Sequence, residues 1–298
     1  MGLTNRTLRA VTGRRWDAEL AGLDALEQEP SRGRRGLRAV VSAAWPKVLA
    51  IAIALALWQL VVASGWKPEY ALPGPVAAFQ ELASQLSSGK LLPAIAITVR
   101  RAIVGYGMAV VIGLILGVAV SRWPLLRRAV GSMITGLQSM PSIAWFPLAI
   151  LLFGLNEAAI LFVVVLGAAP AIANGIISGI DHVPPLLLRA GRILGAQGLS
   201  AYRHVVLPAA LPSAVAGLKQ GWAFCWRSLM AGELLVIVVG QRSLGVQLQF
   251  ARELSDAPGV IAMMIVILLI GIVVDSVVFG LAERSIRQRR GLIDPATA

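Results

Sequence analysis

Apolar residues along this chain fall into six long stretches, at about 45–64, 95–120, 130–154, 157–180, 213–239 and 259–281. Each is near or above the roughly 20 residues an α-helix needs to cross about 30 Å of hydrocarbon. The pattern therefore predicts an all-α integral membrane protein with about six spanning helices. Between the fourth and fifth stretches, residues 181–212 read DHVPPLLLRAGRILGAQGLSAYRHVVLPAALP and carry Asp181, His182, Arg189, Arg192, Arg203 and His204. The hydrocarbon core does not accept that charge density without partners, so this is a loop outside the bilayer. Pro184 and Pro185 suit the first turn of a helix, with Asp181 as its cap. Gly195 and Gly198 allow a sharp turn, Ser200 is placed to cap a second short helix, and Leu207 and Pro208 are expected to end it. The result is a knuckle of two short helices that another protein can grip.

The remaining segments refine this picture. Residues 1–44 form an Arg-rich tail in which Trp16, Leu20 and Leu23 recur at helical spacing. The loop after the first stretch holds a Pro-Gly-Pro turn, with a short amphipathic helix expected after Pro75. In the second stretch, GYGMAVVIGLILG supplies small residues that let helices approach closely in lipid. Pro141 and Pro147 interrupt the third stretch and Pro170 the fourth. Such breaks require the freed backbone groups to meet protein or water, so these helices either line a path or are kinked within a bundle. Residues 291–298 are a second polar tail.

Composition agrees with the membrane reading, since the chain is 57% hydrophobic, 14% charged and has a mean hydropathy of +0.76. The net charge of +12 does not signal nucleic acid binding, because the arginines lie between apolar spans rather than in a basic and aromatic groove. With six spans both ends share one side, which then holds nineteen Lys and Arg against six on the other: Lys67, Lys90, Arg100, Arg101, Arg242 and Arg252. This asymmetry predicts cytoplasmic termini and a cytoplasmic knuckle, with Arg100 and Arg101 at the outer mouth of the second span. One cysteine, Cys225, and two histidines leave no basis for a disulfide or a metal cluster. Only Lys90 of the four lysines follows a glycine, and Leu91 comes next, so no phosphate-binding loop is present. Without paired carboxylates for acid and base work, transport or assembly remains as the functional class.

Arg227 sits deep in the fifth stretch, where facing lipid would cost about 2.5 to 3.5 kcal/mol or more. Two readings stay open: Arg227 faces a translocation path and attracts an anion, or it forms an ion pair with Glu233 or Asp275 of a neighbouring helix. Glu233, six residues on, is not on the same helix face and is expected to bond to another helix. Trp222, Phe224, Trp226 and Met230 either line a vestibule for an alkyl group or pack against lipid and neighbouring helices.

The central loop resembles the signature of permease subunits of ATP-binding-cassette importers. That signature runs Glu-Ala-Ala, three residues, Gly, nine residues, Ile, one residue, Leu-Pro. Here the register gives Arg189, Ala190, Gly191, Gly195, Val205, Leu207 and Pro208 with every spacing kept. Arg189 replaces the Glu, which suggests an acidic partner groove at that point. ALPGPVAAFQEL (71–82), SMPSIAWFPLAILLFGLNEAA (139–159), WRSLMAGELL (226–235) and SLGVQL (243–248) extend the resemblance, which looks closest to the branch importing aliphatic sulfonates, taurine, nitrate or bicarbonate.

The resemblance implies a type I importer permease core in residues 45–290 of a bacterial plasma membrane protein, with residues 181–212 as the coupling loop. Gln197, Gly198 and Ser200 would join the signature residues at that contact. It further implies two ATPase subunits, which bind ATP and Mg, a second permease copy, and an extracytoplasmic solute-binding protein. On this view the chain is not an enzyme and has no cofactor of its own. Arg227, Glu233, Trp226 and Met230 are the path candidates for an aliphatic sulfonate, taurine or nitrate. A vitamin precursor as cargo, an ion-coupled secondary transporter and a membrane scaffold are the competing readings.

Overall fold

The computed structural model describes residues 37–289 and, for side chains, residues 45–286 and 288. The expectations for residues 1–36 and 291–298 lie outside the described residues. The first helix, α1 (Leu37–Ala63), covers the first predicted span. The chain divides into one unit containing residues up to Leu57 and another, Trp58–Ile293, which holds every feature below.

In the second unit α2 (Pro75–Ser87) follows the Pro-Gly-Pro turn as expected, with Pro75 in its first turn. The Trp58 indole N–H donates to the Pro73 carbonyl at 3.1 Å and anchors that turn. Then come α3 (Leu91–Arg122), α4 (Pro124–Ser139), a 3₁₀ turn (Ser142–Trp145) running into α5 (Phe146–Phe153), and α6 (Glu157–Asp181). The loop elements are α7 (Pro185–Ile193), α8 (Gly198–Ala201) and a π-helical segment (Tyr202–Val206), which leads into α9 (Leu207–Leu235). The chain closes with α10 (Leu244–Glu253), α11 (Ala257–Val273), a second π segment (Val274–Phe279) and α12 (Gly280–Arg289).

Among the described residues four helices are long and apolar enough to cross a membrane: Trp45–Ala63, Leu91–Arg122, Glu157–Asp181 and Ala257–Ile286. The third predicted span is different: Pro124–Ser139 and Ser142–Phe153 meet at 105°, and they make a fifth span only if the bent pair counts as one. Pro141 has no N–H to continue α4, whereas Pro147 falls in the first turn of α5, where it breaks nothing. The predicted fifth span is α9, long enough at 29 residues but diluted by Ala and Gly and by the charges on Lys219, Arg227 and Glu233.

The core forms where α6 is held between α3 and α9. The small residues of α3 behave as their spacing predicts: a Cβ on Gly117 would meet the Ala173 carbonyl at 3.0 Å, and Gly105 faces Val164. Gly107 faces open space. On the other flank α6 and α9 touch backbone to backbone, since a Cβ on Gly217 would lie 2.6 Å from the Gly175 Cα. Close approach of this kind lets dispersion and weak backbone contacts hold helices together where lipid removes the hydrophobic drive. Asn156 caps α6 by accepting from the Ala158 and Ala159 N–H groups at 2.9 and 3.3 Å, with Glu157 favourably placed in the first turn.

Gly217→Leu should wedge α6 from α9 and lower stability by about 1 to 3 kcal/mol or more. Thermal unfolding of the detergent-solubilised protein checks this, with Gly107→Leu, which meets open space, expected to leave the melting temperature within error.

Candidate functional site

Three places bear on function: the knuckle between α6 and α9, a buried charge cluster at the opposite end of the bundle, and the face of α9 that carries Arg227.

In the knuckle, α7 ends on Gly195 at φ 84°, a left-handed position natural to glycine. Ala196 N–H donates to the Gly191 carbonyl at 2.8 Å and Gly195 N–H to the Arg192 carbonyl at 3.0 Å, the double closure of a Schellman motif. Two signature positions meet here, because a Cβ on Gly191 would lie 2.8 Å from Cγ2 of Val205. The fixed spacing from Gly191 to Val205 thus folds the second limb onto the first. Gly198 opens α8 at φ 53°. The outer surface is apolar and open, with Ile193 86%, Leu194 85% and Leu199 74% exposed. Arg189, Ala190, Gln197, Ser200, Leu207 and Pro208 are exposed beside them.

Three local expectations fail in the knuckle. Asp181 does not cap α7: it is the last residue of α6 and pairs with Arg127 of α4. Ser200 caps nothing, since its hydroxyl lies 3.4 Å from His204 Nδ1 within its own turn. Leu207 and Pro208 do not end the second helix. The π segment Tyr202–Val206 widens the turn and the helix continues through both residues into α9, although Pro208 has no N–H to give. The Arg122 guanidinium, 4.7 Å from the centre of the Tyr202 ring, ties this segment to the end of α3.

At the other end, Arg101 of α3 and Glu233 of α9 are both fully buried and joined at 2.9 Å from Nη1 to Oε1. Burying such charges is costly unless the remaining valences are satisfied. Here nearly all are: Glu233 Oε2 accepts from Thr98 Oγ1 at 2.9 Å and from Gly245 N–H at 3.0 Å. Leu244 N–H donates to Thr98 Oγ1 at 3.0 Å, and Arg101 Nη2 donates to Gln241 Oε1 at 2.7 Å. Arg101 Nε lacks a hydrogen bond but lies 3.7 Å from Glu157, which also takes Arg100 Nη2 at 3.0 Å. The cluster gathers three separated segments, FGLNEAA, AGELL and SLGVQL, into one contact. Arg101 is therefore buried inside the cluster while Arg100 beside it stays exposed, and Glu233 does bond to another helix.

Arg227 pairs with neither Glu233 nor Asp275. It is exposed on α9, its Nε donates to the Ala223 carbonyl at 3.1 Å, and its guanidinium stands 4.6 Å from the Phe224 ring centre. Among the described residues no carboxylate lies within ion-pair distance of it. Asp275 instead holds Lys219 at 3.4 Å, with Glu283 at 3.7 Å from the same ammonium. Trp226 and Met230 line an open apolar groove of ≈570 Å³ against α10 and α11 whose far end carries Asp275 and Ser276.

Comparison with known proteins adds the decisive observation. Residues 109–287 match the family described as the inner membrane component of binding-protein-dependent transport systems. The chain belongs to this family. An aliphatic sulfonates transport permease of Escherichia coli is 32% identical over 74% of this permease and 83% of its own length. A nitrate import permease of Leptolyngbya laminosa is 28% identical over 80% and 86%. The fold is similar to that of the MetNI methionine ABC transporter in an inward-facing conformation, with a TM-score of 0.55 and 21% identity, covering 66% of this chain and 95% of that one. The permease is thus a membrane subunit of an ATP-binding-cassette importer of the sulfonate and nitrate branch, and ATP hydrolysis lies in separate subunits.

Thr98, Arg101, Gln241 and Glu157 escaped the sequence reading of this permease as cluster members. A signal existed: Thr98 and Arg101 share a helix face at i, i+3 inside an apolar span, and Glu233 needed a partner from another helix. Arg101→Met strands Glu233 and should lower stability by about 3 to 5 kcal/mol. Thermal unfolding in detergent checks it, and adding Glu233→Gln to Arg101→Met should recover part of the loss, because the buried charge then disappears.

Proposed function

We propose that the permease forms the translocation path for a small organic anion, an aliphatic sulfonate first among them. The observation that carries this reading is Arg227: an arginine deep in a spanning helix, exposed, with no carboxylate among the described residues to neutralise it. Left against lipid it would cost about 2.5 to 3.5 kcal/mol or more, which water and an anion in a path remove. The nearby apolar groove with Trp226 and Met230 supports an alkyl-bearing cargo over nitrate, which has no apolar part to bury. The names of the sulfonate and nitrate relatives support the anion class.

In this reading the knuckle and both termini are cytoplasmic, as the charge asymmetry favours. The permease pairs with a second copy, and the Arg227 face is turned toward the path. Two ATPase subunits grip the exposed Ile193, Leu194 and Leu199 surface, where Arg189 meets an acidic groove. A solute-binding protein docks at the opposite face, near the Arg101–Glu233 cluster. Closure of the ATPase dimer moves the knuckle, and α6 and α9 carry the displacement between inward-open and outward-open arrangements. The free energy comes from the partners' different affinities for the two states. An ion-coupled carrier would need no such exposed apolar knuckle.

Arg227→Gln, reconstituted with its partners in proteoliposomes, should raise the KM for ethanesulfonate at least about tenfold, equivalent to about 1.4 kcal/mol, with Arg227→Lys intermediate. ATP-driven uptake of unchanged rate and selectivity in the glutamine variant would remove the anion reading.

A further inference from the structure

Helix α2 is amphipathic in a way that its packing does not use up. At about 100° per residue its circumference divides into three sectors. One sector, which includes Ala78, Glu81, Leu82 and Gln85, faces the protein. Ala78 is fully buried, and Leu82 packs against the cluster of Leu91, Leu244, Ala262 and Met263 that joins α2 to α3, α10 and α11. The exposed remainder splits in two. Leu86, Phe79, Ala83 and Val76 fall within a sector of about 80°, with Val76 67%, Leu86 53% and Phe79 44% exposed. Ser87, Gln80 and Ser84 fill the sector beside it and are exposed as well. Apolar and polar surface therefore meet along a line parallel to the helix axis, and neither exposed sector carries a charge.

From this geometry we infer that α2 lies in the plane of the membrane at the charge-cluster end of the bundle, with its back on α11, its apolar sector in the phospholipid leaflet and its polar sector in water. Three observations select lipid as the occupant of the apolar sector. The cluster under Leu82 includes Ala262 and Met263, which lie about 8 to 9 Å into the spanning helix that begins at Ala257. Interfacial helices rest at a matching depth of about 5 to 10 Å. The chain leading to α2 presents Trp66 and Tyr70, 72% and 80% exposed, soon after the span that ends at Ala63. Aromatic side chains with a polar tip collect at that level of a bilayer. Lys67, whose ammonium is 5.5 Å from the Trp66 ring centre, and Lys90 are exposed on either side of the helix in sequence and suit anionic head groups. Placed this way, α2 sets the height at which α3 and α11 enter the bilayer, whichever solute the permease carries.

Spin labels on the complete transporter, in proteoliposomes of phosphatidylethanolamine and phosphatidylglycerol, test the placement. They are attached one at a time through Phe79→Cys, Leu86→Cys, Gln80→Cys and Ser84→Cys. All four positions are exposed, so a label fits without disturbing the core, and the native thiol of Cys225 is buried. Labels at 79 and 86 should lie about 5 to 10 Å into the boundary between head groups and acyl chains, more open to oxygen than to a water-soluble nickel chelate. Labels at 80 and 84 should show the reverse. If all four are equally open to the chelate, α2 stands in water and the inference is overturned. If 79 and 86 are closed to both reagents, a second copy or another protein covers the apolar sector, and the lipid assignment is equally overturned.

Discussion

The Arg101–Glu233 bridge is the constraint around which the permease is organised. A buried ion pair is tolerable only when its geometry is good and its other lone pairs and protons are engaged. Meeting that demand fixes Thr98 and Arg101 on α3, Glu233 near the end of α9, Gln241 in the connecting loop and the N–H of Gly245 at the start of α10. Four separate pieces of chain must therefore arrive together. Gly245 is part of the fit, since a Cβ there would overlap Glu233 itself. The α9–α10 connection, non-helical from Val236 to Ser243, is held at this end of the bundle by side chains rather than by helix.

The opposite end is built differently. There the chain leaves α6, makes the short helices α7 and α8, and re-enters α9 through a π segment, with the Arg127–Asp181 pair and the Arg122–Tyr202 contact as its ties to α3 and α4. These contacts are on the surface, where ion pairs contribute little. Between the two ends, glycine notches on α3 and α9 receive α6 side chains such as Val164, Ile172 and Ile176, and Gly175 meets Gly217 backbone to backbone. One end is thus fixed by a satisfied buried charge, and the other is held by exposed contacts at which an external protein can act.

Much of this was legible from sequence. Helix α6 was predicted to within a residue at each end, because Asn156 marks its start and a polar run its finish. The knuckle's turn followed from Gly195, and the loop signature acquires a physical basis in the contact of Gly191 with Val205. What stayed hidden was of two kinds. A charge count sees only the order of residues, so it registers Arg101 as an outer charge and misses its buried pairing with Glu233, 132 positions along the chain. Prolines read as helix ends are ambiguous too: Pro141 stops a helix, Pro147 falls in the first turn of one, and Pro208 follows a π segment through which the helix continues.

If the knuckle is the point at which a separate motor grips this permease, the measurement that tests it most directly is site-directed cross-linking. The protein has one native thiol, Cys225, and it is buried, so a cysteine replacing Leu194 is the reactive one. In membranes holding the complete transporter, a short thiol-reactive cross-linker at position 194 should capture the ATPase subunit, with a yield that changes when ATP is bound. Failure to capture any ATPase from position 194, in a preparation that still carries out ATP-driven uptake, would contradict the account.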